Sequence, residues 1–326
     1  VRYIRSWAWV GCAPERFDSP RVLRAYAGDR LVGICLLNQP RRCASLSEAG
    51  DPARDTPYVE HNGPLVAADA PPGTEAALLK AALAGARRLR LSGVPPELPL
   101  LSGGVAIRSR ADQAPFLDLE ALRARGQDVF AALSPNARQQ IRRSDRRLGP
   151  LRLDRAATVP EALDWLDALA ALHQASWNRR GKPGAFAEPF FRRFHRELIG
   201  RAHPDGGIDL LRVAGGRGVV GYLYNFRHGG VVHAYQSGFA DADLHPHEKP
   251  GLTAHRLAIQ AALERGDREY DFLAGPQRYK LSFASGMRPL VWAEMAHPAS
   301  LAGIARRLWN LVSSPEKVVR RNAHKT

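Results

Sequence analysis

The chain has 326 residues, 45% of them hydrophobic and 24% charged, which supplies a large buried core and excludes a disordered or low-complexity protein. Its net charge is +15, and 41 of its 47 basic residues are arginine against six lysines. That balance favours anionic ligands in general, among them nucleotide phosphates, RNA and membrane surfaces, without singling out a nucleic acid; no DNA partner is expected. Cys12, Cys35 and Cys43 form no C-x-x-C pair, which argues against a zinc site or a disulfide framework and for free thiols in a reducing cytoplasm. No stretch approaches the roughly 18 consecutive apolar residues of a transmembrane helix. No signal-peptide core follows Val1, so a cytoplasmic location is expected.

In chain order, the first third reads as short strands and tight turns. RVLRAYAGDRLVGICLLN predicts a hairpin about Gly28 and Asp29. A loop rich in proline, glycine and aspartate follows. TEAALLKAALAGARR then predicts a helix from Thr74 to Arg88, with Pro95, Pro96 and Pro99 barring any continuation. The halves divide near residue 130, giving domains over 1–130 and 131–298 and a basic amphipathic tail over 299–326. Ser134-Pro135-Asn136 starts a helix with serine or asparagine as cap. That helix carries Arg138, Arg142, Arg143, Arg146 and Arg147, diluted only by Asp145. It is either a solvated surface helix or a phosphate or RNA footprint.

From Val159 the pattern is regular. PEALDWLDALAALHQASW and PFFRRFHRELIG predict two amphipathic helices. IDLLRVAGGRGVVGYLYNFRHGGVVHAYQSGF predicts three antiparallel strands parted at Gly215 to Gly218 and at Gly229-Gly230. A helix from Gly251 to Arg265, the strand REYDFLA, a short helix and a last strand over Met287 to Ala296 complete the order. The expected fold class is α/β (α+β), with mixed central sheets flanked by helices.

The segment from His245 to Phe283, HPHEKPGLTAHRLAIQAALERG followed by DREYDFLAGPQRYKLSF, is the most informative. A helix start leaves backbone N–H groups unpaired at the positive end of the macrodipole, and a glycine at position 251 lets phosphate oxygens come close to them. A pyrophosphate-bearing ligand suits it; so does a plain helix start relieved by glycine. His245 and His247 lie at i, i+2, but no third ligand is evident and no metal is expected. His233, in an apolar strand, reads as a satisfied core histidine.

That order of elements, with Trp177 and Arg180 in ASWNRRGKPGAF, Tyr235-Gln236-Ser237 on the third strand, Pro250-Gly251, Asp271-Phe272 with Gly275, and Tyr279-Lys280, resembles the GNAT acyltransferase superfamily. More narrowly it is similar to the CelD/BcsL branch associated with cellulose biosynthesis and related to the FemAB aminoacyl transferases. The first half resembles a degenerate GNAT-like domain, so the resemblance implies a tandem architecture. In the family's glycine loop a second glycine stands two places after the first; here Thr253 holds that position.

The resemblance implies a transferase with no permanently bound cofactor and with acetyl-CoA or another acyl-CoA as co-substrate. The acceptor would be an amine or hydroxyl on a sugar, polysaccharide precursor or small metabolite. The amides of Gly251, Leu252 and Thr253 would hold the pyrophosphate, with Lys249 beside them. A strand N–H near Tyr235, Gln236 and Ser237 would meet the carbonyl. Tyr279 would be the acid for the leaving group and Lys280 a balancing charge. Asp271 would be base or orienter, or would tie the following turn. Trp177 and Arg180 would form the acceptor wall, or a core tryptophan with a solvent arginine. Two alternatives stay open: a Fem-like transferase using aminoacyl-tRNA, which makes tRNA a partner, and a non-catalytic partner in envelope polysaccharide assembly. The tail LAGIARRLWNLVSSPEKVVRRNAHKT, apolar on one side and basic on the other, could lie on a membrane, and is expected to dock on the protein itself.

Overall fold

A computed structural model describes residues 3–12, 14–103, 105–240, 245–275 and 277–313, so the basic end of the tail, 314–326, and Pro276 of the Gly-Pro turn lie outside the described residues. The elements of the first part are α1 (Trp7–Gly11), β1 (Pro20–Ala27), β2 (Arg30–Asn38), β3 (Cys43–Leu46), β4 (Leu65–Val66), α2 (Thr74–Ala84), β5 (Arg88–Val94), α3 (Pro99–Gly103), β6 (Val105–Asp118) and α4 (Leu119–Ala124). Then come α5 (Pro135–Leu148), β7 (Arg152–Arg155), α6 (Val159–Arg179), α7 (Pro189–Ala202), β8 (Ile208–Gly215), β9 (Gly218–His228) and β10 (Val231–Phe239). The chain continues through α8 (Pro250–Arg265), β11 (Glu269–Asp271), α9 (Arg278–Phe283), β12 (Gly286–Ala296) and α10 (Leu301–Ser313). The class is mixed α/β, as the patterning implies. Among the described residues no helix is long and apolar enough to cross a membrane.

The chain forms two units interleaved in sequence: Val1–Cys12, Pro52–Tyr58 and Asp112–Pro289 make unit 1, and Ala13–Asp51, Val59–Ala111 and Leu290–Thr326 make unit 2. In unit 2, β1 and β2 form the predicted hairpin, with Gly28 at φ 61° in its turn. β2 pairs with β3, β3 runs parallel to β5, and β5 pairs antiparallel with β12. The predicted helix stops at Ala84, short of Arg88. From Arg88 onward Leu89 and Leu91 are buried while Arg88 and Arg90 are exposed, a period of two that strand partners on both sides reinforce over the helical preference of the alanine run. α2 closes this core with Leu78, Leu79, Ala82 and Leu83 against Leu37, Leu89, Leu91 and Met295.

In unit 1 the strand order is the end of β6, then β11, β10, β9, β8 and β7, with β10 and β11 parallel and the other pairs antiparallel. β8 and β9 are buried continuously over Ile208 to Leu211 and Val220 to Phe226, because helices cover both faces. On one face Val232, Tyr270 and Phe272 pack with Ala254, Ala258 and Ile259 of α8 and Ile141 of α5. On the other, Tyr235, Phe226 and Tyr224 meet Phe191 and His195 of α7 and Trp9 of α1. β10 shifts register against β9 between Ala234 and Gln236. That bulge lets Ala234 and Phe239, five positions apart, both reach the α8 core, which strict alternation forbids.

Candidate functional site

β10 and β11 pair over only three residues each, Val231 to His233 with Glu269 to Asp271, and β10 then runs on to Phe239 without a β11 partner. The cause is local. After Asp271 the chain stays with β6: the Phe272 amide donates to the Pro115 carbonyl at 3.0 Å and the Gly275 amide to that of Gln113 at 3.4 Å. Leu273 takes a left-handed φ of 59°, which its side chain disfavours. Two groups hold it there. The fully buried Asp271 accepts from the Leu273 amide at 2.8 Å in an Asx-type turn. The buried Lys280, on α9, donates from Nζ to the carbonyls of Leu273 at 3.0 Å and Ala274 at 2.7 Å. Arg288 faces the Asp271 carboxylate at 3.6 Å while bonding Glu269 with both nitrogens, so the buried charge is compensated. Asp271 thus sits where it ties the following turn, one of the two roles expected of it, while Lys280, expected as a balancing charge, turns inward to hold the same turn.

The head of α8 follows the parted end of β10 in sequence. Pro250 is its first residue and has no N–H, Lys249 caps it with no side-chain bond, and the Thr253 amide donates to the Lys249 carbonyl at 3.0 Å. Gly251 and Leu252 therefore hold the free amides; no described residue accepts from them. Thr253 departs from expectation, because its amide closes the first helical bond. Its buried hydroxyl donates to Asp145 Oδ1 at 2.7 Å and lies 2.9 Å from Ser144 Oγ, which itself accepts from the Lys249 amide at 2.9 Å. α5 thus clamps the head of α8. Gly251 packs on Phe239, whose Cε2 would stand 3.2 Å from an added Cβ.

Positive charge collects here. Lys249 is exposed, Arg147 bonds His245 at 2.8 Å, and Arg143 lies 3.4 Å from the ring of His247. Desolvation, followed by the charges of Arg143, His245, Arg147 and Lys249, lowers the pKa of His247. Glu248, the one carboxylate among the described residues of this loop, is engaged by Arg217 at 2.5 Å, the principal cause of its lowered pKa.

His255 stands one turn after Gly251 on α8, and Tyr279 stacks on it at 4.9 Å and 19°. The Tyr279 ring thus lies about 6 Å along the helix from the free amides. Burial pushes the phenol up to about 12, so it is protonated at neutral pH. No described residue bonds its hydroxyl. His255 is buried with Nδ1 3.1 Å from the Tyr270 hydroxyl; burial, then the Lys280 charge, lowers its pKa to about 3. Tyr235, Gln236 and Ser237 lie along the unpaired part of β10. The Tyr235 ring stays in the aromatic core, and its carbonyl accepts from the Tyr58 hydroxyl at 2.9 Å. Only backbone of that residue can serve a donor.

Trp177 falls in the last turn of α6 and Arg180 is its C-cap, with the guanidinium 5.7 Å from the indole centroid. One turn earlier stands His173, which sequence reasoning passed over. Its Nδ1 donates to the Ser237 carbonyl at 3.0 Å, while Nε2 is buried with no partner among the described residues. Burial, and after it the charge of Arg180, lowers its pKa against the raising effect of the Ser237 bond. Gly238 lets α6 approach this closely, since a Cβ there would press into the Leu169 carbonyl and stand 3.1 Å from the His173 nitrogen. The i, i+4 spacing of His173 and Trp177 was the available signal. Among the described residues no three His, Cys, Asp or Glu side chains group as a metal site.

No curated protein matches the chain at a significant level. Residues 135–281 match the acetyltransferase (GNAT) domain family, from the start of α5 to the middle of α9. Among solved structures, FemX shares 9% identity over 89% of this chain and 91% of its own, with a TM-score of 0.58. L-PGS from Bacillus licheniformis shares 13% over 89% of each chain, with a TM-score of 0.55. A C-terminal domain attributed to a lysylphosphatidylglycerol synthetase of Agrobacterium fabrum shares 17% over 91% of this chain and 93% of its own, at 0.54. At these identities the likeness is one of fold. The parted strands, the open helix head after them and the match over 135–281 together mean that the chain contains a GNAT-type acetyltransferase domain and is a transferase of the GNAT fold.

Proposed function

We propose that unit 1 moves an acyl group, with acetyl the simplest case, from acyl-CoA to an amine or hydroxyl. The observation that carries this reading is the parting of β10 from β11 just before a helix whose first free amides belong to Gly251 and Leu252. Those amides and Lys249 hold the donor's pyrophosphate, with the Arg143, Arg147, His245 and His247 cluster adding positive potential. The donor carbonyl lies along the unpaired edge of β10 near Tyr235, Gln236 and Ser237, where a backbone N–H stabilises the oxyanion. The acceptor rests against Trp177 and Arg180. Its nucleophilic nitrogen or oxygen attacks the carbonyl carbon and gives its proton to Nε2 of His173, a neutral imidazole whose tautomer the Ser237 carbonyl sets. The carbon–sulfur bond then breaks, and the Tyr279 hydroxyl donates a hydrogen bond to the departing sulfur. Full proton transfer from a phenol near 12 to a thiolate is uphill, so the proton held on His173 completes the leaving thiol. The likeness of the Trp177 to Lys280 motifs to the CelD/BcsL branch supports a sugar or polysaccharide precursor as acceptor.

A second reading, with aminoacyl-tRNA as donor, is favoured by α5. Arg138, Arg142 and Arg146 line one open concavity with no carboxylate on it, about 6 Å of helix apart, a spacing that suits successive phosphates. Calorimetry with acetyl-CoA and with uncharged tRNA separates the two. Binding of acetyl-CoA weakened at least about tenfold by Gly251→Asp supports the first, because a carboxylate then faces the phosphates. Salt-sensitive tRNA binding abolished by neutralising Arg142 and Arg146 supports the second, and binding of neither ligand defeats both.

A further inference from the structure

α10 belongs to unit 2 and stands off the rest of it. Its start is fixed: Ser300 Oγ donates to the His297 carbonyl at 2.8 Å and accepts from the Gly303 amide at 3.1 Å. Gly303 is buried against the His297 and Pro298 carbonyls, and every residue from Ile304 to Trp309 is exposed. The exposed residues include Leu301 at 86%, Ile304 at 46%, Leu308 at 58% and Trp309 at 63%. Leu301, Ile304 and Leu308 recur at the i, i+3, i+7 spacing of one helical stripe, flanked by Trp309, while Arg306 and Arg307 lie off it. Over residues 301–309, the expected docking of this tail on the protein is confined to the first turn of α10; the rest of that expectation, 314–326, lies outside the described residues. At the root of α10 is an open cavity of about 380 Å³, lined by Arg42, Arg87, His297, Ser300 and Leu301 among others, with no acidic side chain.

We propose that α10 docks the protein on membrane surfaces carrying anionic phospholipid. The apolar stripe lies among the acyl chains, Trp309 sits at the boundary, and the Arg42 and Arg87 cavity receives a phosphate headgroup. Charge selects this occupant. Residues 301–326 hold Arg306, Arg307, Lys317, Arg320, Arg321 and Lys325 against the single acid Glu316, so a second copy of the helix would meet like charge. A lipid surface supplies apolar depth and negative charge together.

The test is cosedimentation of the full chain with phosphatidylcholine vesicles and with vesicles of three parts phosphatidylcholine to one part phosphatidylglycerol. Partition onto the anionic vesicles is expected to be at least about tenfold stronger and to fall as salt rises. Leu308→Gln, which removes apolar area at an exposed position without changing charge, is expected to lower it severalfold with the melting temperature unchanged. Arg306→Gln with Arg307→Gln is expected to weaken the preference for anionic lipid severalfold. Failure to bind, equal binding to both vesicles, or unaltered binding of Leu308→Gln overturns the proposal. So does a concentration-dependent dimer that Leu308→Gln disperses, which would give the stripe to a second copy. None of these readouts depends on acyl transfer, so they stand apart from the catalytic reading.

Discussion

Replacing His255 by phenylalanine is expected to flatten the acid limb of the stability curve. In the folded chain the imidazole is buried, with its pKa lowered from 6.5 to about 3. In the unfolded chain it titrates near the ordinary value. Between those limits the unfolded state holds a proton that the folded state refuses, so stability is full above about pH 6.5 and falls as pH drops toward 3. The slope is about 1.4 kcal/mol per pH unit, which makes the His255 contribution about 3 kcal/mol by pH 4. Phenylalanine keeps the stack on Tyr279 but leaves the Tyr270 hydroxyl only Asn225, at 3.5 Å, costing about 1–3 kcal/mol at neutral pH. Urea unfolding of both proteins across this range reads the difference directly. The lowered pKa values of His173, His228 and His247 are common to both proteins and cancel. Unfolding curves that stay parallel from about pH 7 to about pH 4 would refute the reasoning, because His255 would then be protonated in the folded state too.

Thr253→Val keeps the shape of the buried side chain and removes the hydroxyl between Asp145 and Ser144; it is expected to cost about 2 kcal/mol by chemical unfolding. An unchanged midpoint would mean that the clamp between α5 and α8 does not hold the helix head. Tyr279→Phe leaves the ring stacked on His255 and is expected to lower thioester turnover about 10- to 100-fold while acetyl-CoA affinity is kept. Turnover equal to that of the parent would remove Tyr279 from the leaving-group step.

Much of unit 1 was legible because its signals are local. The Pro250-Gly251 start, the Ser134 cap, the glycine turns between β8, β9 and β10 and the strand after α8 each depend on residues a few positions apart. The helix predicted through Arg88 failed where the signal was not local: Leu89 and Leu91 read equally well on a helix face, and only partners on β3 and β12 decided for a strand. Site roles divided in the same way. Gly251 and Leu252 kept free amides, as a helix start requires of any sequence. Thr253 was drawn inward by Asp145, 108 positions away, and Lys280 by carbonyls that a left-handed Leu273 presents. His173 went unnoticed because its partner, the Ser237 carbonyl, lies on another element 64 positions along the chain.

The sequence by itself determined the order of helices and strands, the excess of positive charge and the open helix head at Gly251, since spacing, capping and proline chemistry act within a turn or two of the chain. The tertiary structure decided where β10 leaves β11, which polar side chains face inward, and that α10 stands exposed. Those outcomes depend on which distant backbone and side-chain groups satisfy buried donors and charges, and a buried Asp271 or Lys280 takes its role from the partners folding brings to it.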